Sequence, residues 1–436
     1  MSEVAPAPSV ADSRGASRLM WFVGIGYLFY ILADPRDGIA KLAIKYTLKD
    51  ELHMDAARLA MFGLVVNIAW YLKPVAGIIT DTFTIFGSRR KTYVLVTTAL
   101  ASLLYLALAS LTPTENVFLV CLMLMNVALV FAQTTLGGVL VAAGQEFRST
   151  GRMSSIRNAA ESSGVLIASV AAGFFAAATF KNGHQASYLT SFVLLVGMVV
   201  LAAGLLKEEK SASSGIDAFY EKLGGFRELF KSRAMWATSF FWLLVRFSPG
   251  FQTPLFMHQS ETLKFSSEFI GTLLAIQASG NVLASAFYVW ACRKYTLRTL
   301  IYAGILVNVV SSACYLGYTS QPAAMAIEAL YGIGNGLAFM PFLDLIARST
   351  PKKFEALGYA LIFSFGNISL FGSDAIGSRL YEAWGRNFSG MVWMNTATSL
   401  LVLVAVPLLP KVLLAAKEGH SHIGDVAVIK EVGEPD

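Results

Sequence analysis

The chain predicts an all-α membrane protein of about 12 spanning helices in two bundles of about six. Three observations carry that expectation. The first is composition: 55% of the 436 residues are hydrophobic and 14% are charged, against about a quarter charged in soluble domains. The second is block length. Apolar residues recur in runs of about 20 along the whole chain, the length that crosses a hydrocarbon core. The third is the charge of the loops: alternate loops are basic, as the positive-inside rule requires.

Spans are expected at 19–46, 57–80, 92–111, 116–143, 153–178 and 186–206, then at 234–258, 267–291, 297–318, 322–347, 354–378 and 388–414. The polar stretch from Lys207 to Arg233 separates the two sets. This gives an N-terminal tail (1–18), a first bundle (19–206), a linker (207–233), a second bundle (234–414) and a C-terminal tail (415–436). Residues 1–18 are polar and show no signal-peptide cleavage pattern, so the first apolar run is expected to be retained as a span.

Orientation comes from the loops. Arg89, Arg90 and Lys91 follow the second span, Arg148 and Arg152 the fourth, and Arg293, Lys294 and Arg298 the eighth. The 3–4 loop (Thr112 to Glu115) and the 9–10 loop hold no cation. Both termini are therefore expected in the cytoplasm, with the chain spanning the cell's inner (plasma) membrane. The net charge of +6 reads as cations kept on one membrane face, so no nucleic-acid partner is expected. Cys121, Cys292 and Cys314 lie scattered in apolar runs and form neither a disulfide nor a metal framework.

Ionisable residues inside apolar runs are costly and usually face a cavity or a partner. On a continuous first span at about 100° per residue, Asp34, Lys41 and Lys45 share a face, with Asp37 adjacent. The alternative is that the span ends at Leu32 and these residues form a loop. In the second span Asn67, Trp70 and Lys73 share an interior face. Asp81 with Arg89 and Arg90 reads as a cytoplasmic charge latch that gates the passage. Span five pairs Arg157 with Glu161 at i, i+4; its small residues permit close helix approach. Arg246 sits in the middle of span seven with no acid within a turn. Gln277, Asn281, Asn335 and Asn367 are amides at depth. Gly332, Gly334 and Gly336 thin span ten or form a hinge, while Asp344 and Asp374 read as anchors.

The stretch Lys73-Pro74, Gly77, Asp81, Ile85 to Gly87, Arg89 to Lys91 and Tyr93 resembles the folate–biopterin transporters, a branch of the major facilitator superfamily. Leu48 to Leu52, Asp55, Phe339 to Pro341, Leu343, Pro351, Glu355-Ala356 and Asn367 extend the resemblance to about residues 27–406. It implies a major-facilitator fold with alternating access, folate or pterin substrates and proton coupling. One departure stands out. The family's fourth span carries acids where this chain has Gln133, Gly137 and Ala142.

A folate or pterin site needs cations for carboxylates, amides for the ring edge and aromatics for stacking. Lys73, Arg157 and Arg246 are the expected cations. Asn67, Gln133 and Gln277 are the amides, and Trp70 and Phe251 the platforms. Asp34, Asp37 and Glu161 are the expected proton carriers. Protons, a small-molecule substrate and the lipid bilayer are the partners, and a monomer without cofactor or metal is expected. The alternatives are a major facilitator for another solute (an amino acid, a sugar or a peptidoglycan fragment) and a membrane receptor or scaffold that binds without transport. An enzyme is not expected: His53, His184 and His258 are far apart, and no embedded Ser/His/Asp set or metal motif is evident.

Overall fold

The computed structural model describes residues 10–84, 88, 90–146, 150–177, 182–206, 231–247, 251–349, 355–411 and 414. Among these, eight helices are long and apolar enough to cross a membrane, and Arg18–Leu32, Ala56–Val66 and Ala159–Phe175 are shorter apolar helices. Side chains such as Val193, Val200, Leu283, Leu401 and Val404 stand more than 60% exposed. Water would penalise that apolar surface, whereas hydrocarbon accepts it.

The helices are α1 (Val10–Leu32), α2 (Lys41–Tyr46), α3 (Ala56–Val66), α4 (Ile68–Tyr71), α5 (Lys73–Thr82), α6 (Lys91–Ser110), α7 (Glu115–Glu146), α8 (Thr150–Phe175) and α9 (Gly183–Leu205). They continue as α10 (Arg233–Arg246), α11 (Gln252–Met257), α12 (Ser267–Lys294), α13 (Leu297–Ala313), α14 (Gln321–Ser349), α15 (Glu355–Ala383) and α16 (Phe388–Ala405). Polar residues at the turns fix where helices start. Asp55, Ser232, Ser266, Thr296 and Asn387 each accept a backbone N–H three residues on, at 2.7–3.4 Å. These caps satisfy donors that the first helical turn leaves open.

Two compact units result. One comprises Met1–Ile44 with Val75–Phe219, the other Lys45–Pro74 with Tyr220–Asp436. In the first unit, α1 packs against α8 because both present small residues. A Cβ added at Gly164 would lie 2.8 Å from Ile31 Cγ2, and one at Gly24 2.9 Å from Ile156 Cγ2. Span five's small residues thus serve helix approach. In the second unit a core of Met235, Phe241, Trp242, Ile301, Ile305, Phe342, Ile346 and Ile362 joins α10, α13, α14 and α15.

The first span is not one helix, which corrects the shared-face reading of Asp34, Lys41 and Lys45. α1 ends at Leu32 and α2 begins at Lys41. Asp34 causes the break: its Oδ1 accepts the N–H of Arg36 at 2.8 Å and of Asp37 at 3.2 Å. Pro35 has no N–H to continue a helix. A Cβ at Gly38 would overlap the main-chain oxygens of Leu32 and Asp34, so only glycine fits that close turn. Without a continuous helix, the 100° spacing no longer places these charges on one stripe.

Span seven is built the same way. α10 stops at Arg246, the six-residue α11 follows, and a five-residue π-helical turn (His258–Thr262) closes it. Six-residue α2 likewise runs into the five-residue π-helical turn Thr47–Glu51. The opening span of each sequence half therefore repeats one design: helix, break, short helix, π turn. Such internal repeats are usual in transporters, and single-turn π segments are frequent at functional sites. The second span is also divided, at Asn67 and Leu72, into α3, α4 and α5.

Candidate functional site

In the first unit, polar groups from α1, α7 and α8 come together. The Arg157 guanidinium lies over the Tyr27 ring at 4.7 Å and its Nε donates to Glu161 Oε1 at 2.9 Å. Both members of the ion pair are only partly buried, with side chains 39% and 30% exposed, so solvent weakens their mutual hold. Across from them stands Gly137 on α7, where an added Cβ would sit 3.4 Å from the Tyr27 hydroxyl. One turn earlier on the same α7 face lies Gln133, which is buried. Its Nε2 has no hydrogen-bond partner among the described residues. A buried amide donor without an acceptor is unfavourable unless something occupies the site.

The remaining first-unit candidates have protein partners. Asp34 caps the break after α1, and Asp37 accepts from Arg36 Nε at 2.6 Å. Lys41 Nζ donates to Ser169 Oγ at 2.9 Å, tying α2 to α8. Of the gating set, the side chain of Asp81 and all of Arg89 lie outside the described residues. Arg90 is described, and its Nε is 3.7 Å from the Cβ that Gly138 lacks.

In the second unit, Trp70 and Lys73 are neighbours: Lys73 Nζ lies over the buried indole at 5.2 Å. Asn67 donates to Gly63 O at 2.8 Å and so seals the break between α3 and α4. Asn367 of α15 donates to Trp70 O at 3.5 Å. The Arg246 guanidinium stands over Trp242 at 5.5 Å and Phe339 at 5.7 Å. Trp242 needs Gly366 to fit, because a Cβ there would overlap its Nε1.

Phe251 is 5% exposed and ringed by Tyr315 at 5.0 Å, Phe388 at 6.1 Å and Tyr331 at 6.2 Å. Its partners are aromatic side chains of the protein. The main-chain oxygen of Gln277 accepts from Asn281 Nδ2 at 3.2 Å, and Asn281 Oδ1 accepts from Asn335 Nδ2 at 3.3 Å. This amide ladder runs beside a close contact between α12 and α14. A Cβ at Gly332 would overlap Gln277 O, and one at Gly336 would come 2.6 Å from Ala284 Cβ. The three glycines of α14 therefore thin the helix against α12 and α13.

An ion network joins the two π-helical turns to the end of α15 in the second unit. Arg386 donates to Glu261 at 2.7 Å and to Glu382 at 3.0 Å, and Lys49 lies 3.9 Å from Glu261. Glu382 Oε1 also accepts the N–H of Ala56 at 3.1 Å. The hydrogen bond to Glu382 raises Arg386 above its usual value.

Sequence reasoning missed one buried carboxylate. Glu328 of α14 is 3% exposed and accepts from Tyr315 at 3.0 Å and Tyr318 at 3.0 Å. The signal was present, since Glu328 interrupts an otherwise apolar run in span ten.

The apolar spans and their packing define an all-α membrane protein with a fold of the major facilitator type. The fold resembles the nucleoside transporter NupG at TM-score 0.67 and 14% identity, over 91% of this chain and 98% of that one. It also resembles a D-xylose–proton symporter at TM-score 0.67 and 11% identity, over 91% and 98%. The chain belongs to the BT1 family, which matches residues 36–424. Among its relatives is the folate-biopterin transporter of Synechocystis sp., 22% identical over 390 residues, covering 85% of this chain and 78% of that protein. Another is folate transporter 1 of Plasmodium falciparum, 23% identical over 428 residues, covering 95% and 83%.

Proposed function

We propose that this protein is a secondary active transporter that moves a folate or pterin across the membrane by alternating access, coupled to protons. The observation that carries the reading is the grouping of Arg157, Glu161, Tyr27 and Gln133, whose Nε2 has no partner among the described residues, on three helices of one unit. A pteridine edge offers acceptors to Gln133 and a face to Tyr27, and a carboxylate competes with Glu161 for Arg157. A planar guanidinium binds a carboxylate with two parallel hydrogen bonds, which suits that exchange. In the second unit, Lys73 with Trp70 and Arg246 with Trp242 supply further cation and ring pairs, and Asn67 and Gln277 are the amides proposed with them. Phe251 contributes as packing against Tyr315, Tyr331 and Phe388.

Asp34, Asp37 and Glu161 are the acids that sequence reasoning put forward for coupling. Of these, Glu161 is the one whose partner, Arg157, a substrate carboxylate would take over. Asp81, Arg89 and Arg90 are proposed as a cytoplasmic latch. The basic loops support cytoplasmic termini and an inner (plasma) membrane location, with the protein acting as a monomer of two bundles. The family supports a role other than catalysis.

Uptake into proteoliposomes of labelled folate and biopterin, with a competing panel, tests the substrate. Competition by unlabelled pteridines is expected. Competition only by a nucleoside, sugar or amino acid would assign a different solute. Binding without counterflow would make the protein a receptor.

A further inference from the structure

We infer that Glu328, held by Tyr315 and Tyr318 and linked through Tyr318 to Gln259, is the proton-binding site of the second unit. The inference rests on the proton-coupled reading above and names the group that would take the proton.

The geometry is particular. Each carboxylate oxygen accepts one phenol: Oε2 from Tyr315 and Oε1 from Tyr318, both at 3.0 Å. The Tyr318 hydroxyl in turn accepts from Gln259 Nε2 at 2.6 Å. All four side chains are buried. No cation pairs with Glu328 among the described residues; its hydrogen-bond partners are the two tyrosines. Asp34, Asp37, Glu161, Glu261 and Glu382 each have a cation or a backbone N–H against them. A buried charge is normally paired. An acid with only neutral donors can change its charge by one proton without breaking an ion pair, which is what a coupling site requires.

Proton uptake would also move something. The ionised form accepts from both hydroxyls. The protonated form must itself donate, and a hydroxyl that accepts from it has to turn its own hydrogen elsewhere. Tyr318 already accepts from Gln259, so a proton on Oε1 changes the hydrogen bonding of the π-helical turn His258–Thr262. That turn holds Glu261, which belongs to the Arg386 ion network. His258 lies against Tyr318 O at 3.4 Å and stacks on Phe388 at 4.3 Å. On the other side, Tyr331 packs on Tyr315 at 5.2 Å and lies within electrostatic reach of both Glu328 and Arg246. One proton site therefore borders both a candidate substrate cation and the end of broken span seven. The groups that face it are Tyr315, Tyr318, Tyr331, Gln259 and His258, with Arg246 beyond Tyr331.

Two measurements test this. In proteoliposomes, a gradient of one pH unit drives about tenfold accumulation at one proton per substrate. Wild type is expected to reach that ratio with folate or biopterin, and Glu328→Gln to fall to about onefold relative to its own counterflow, with Glu328→Asp recovering part of the ratio. Gradient-driven accumulation in Glu328→Gln equal to wild type would overturn the proposal. The second measurement needs no substrate, so it separates this proposal from the substrate assignment. Infrared difference spectra of the protein in lipid, recorded across pH, should contain a titrating carboxyl band that Glu328→Gln lacks. The same band in Glu328→Gln would overturn the assignment. If that variant does not reach the membrane, the pair Tyr315→Phe and Tyr318→Phe keeps the acid and removes its donors. The band is then expected to shift, and an unshifted band would overturn the proposal.

Discussion

Asp374 and Thr253 are joined by two hydrogen bonds. The main-chain N–H of Thr253 donates to Oδ1 at 3.0 Å, and its Oγ1 donates to Oδ2 at 2.6 Å. A carboxylate on α15 thus caps the start of α11, the short helix that resumes span seven after its break. The donors at a helix start need acceptors, and the burial of Thr253 keeps water from supplying them. Asp374 is an anchor, as its place near a span end suggested.

Asp374→Ala should therefore destabilise the protein by about 1–3 kcal/mol, the usual cost of leaving a buried donor unsatisfied. Asp374→Asn keeps an acceptor and should cost less. Thermal unfolding in detergent measures both. Equal melting temperatures for wild type and the alanine variant would show that α11 holds without this cap.

Arg157→Lys keeps the charge and loses the planar fork and much of the ring contact with Tyr27. Initial uptake rates should drop several-fold, and further with Arg157→Ala. Tyr27→Phe retains the ring face and should be mild, whereas Tyr27→Leu removes a contact worth about 0.5–2 kcal/mol. A ranking in which Tyr27→Phe is as damaging as Tyr27→Leu would mean that the hydroxyl, and not the face, matters.

Lys73→Ala and Arg246→Ala should impair uptake while leaving membrane insertion intact. Each removes a cation over an indole, and a charge-assisted contact to a ligand is worth about 1.5–3 kcal/mol, or roughly 10- to 150-fold in affinity. Saturation uptake curves alongside surface-labelling of the inserted protein would measure this. Unchanged curves in both variants would remove the two residues from the site.

Gly332→Ala tests the helix contact in the second unit. The added methyl would overlap the main-chain oxygen of Gln277, which cannot move aside as a side-chain tip can. Overpacking of this kind costs about 1–3 kcal/mol. A lowered melting temperature is expected, and Gly372→Ala, where nothing lies within 4 Å of the new Cβ, is the matched control. If the two variants melted alike, close packing at Gly332 would not be limiting.

By itself, the sequence determined the class of protein, because span length and loop charge are local properties that a bilayer reads directly. It also found the Arg157–Glu161 pair, since four residues on a helix bring side chains together whatever surrounds them. The second span is broken at Asn67 and Leu72, so its helical spacing does not hold; Lys73 still lies over Trp70, while Asn67 turns back to Gly63. Local periodicity failed where the backbone left the helix. The Asp34 stripe dissolved because a side-chain carboxylate took the N–H groups that a continuous helix would have used. Glu328 acquired meaning only from Tyr315, Tyr318 and Gln259, and Asp374 only from Thr253, partners that sequence distance conceals. Whether a buried acid stands against a cation, a backbone N–H or a phenol is decided by helices packing side by side, and tertiary structure alone makes that choice.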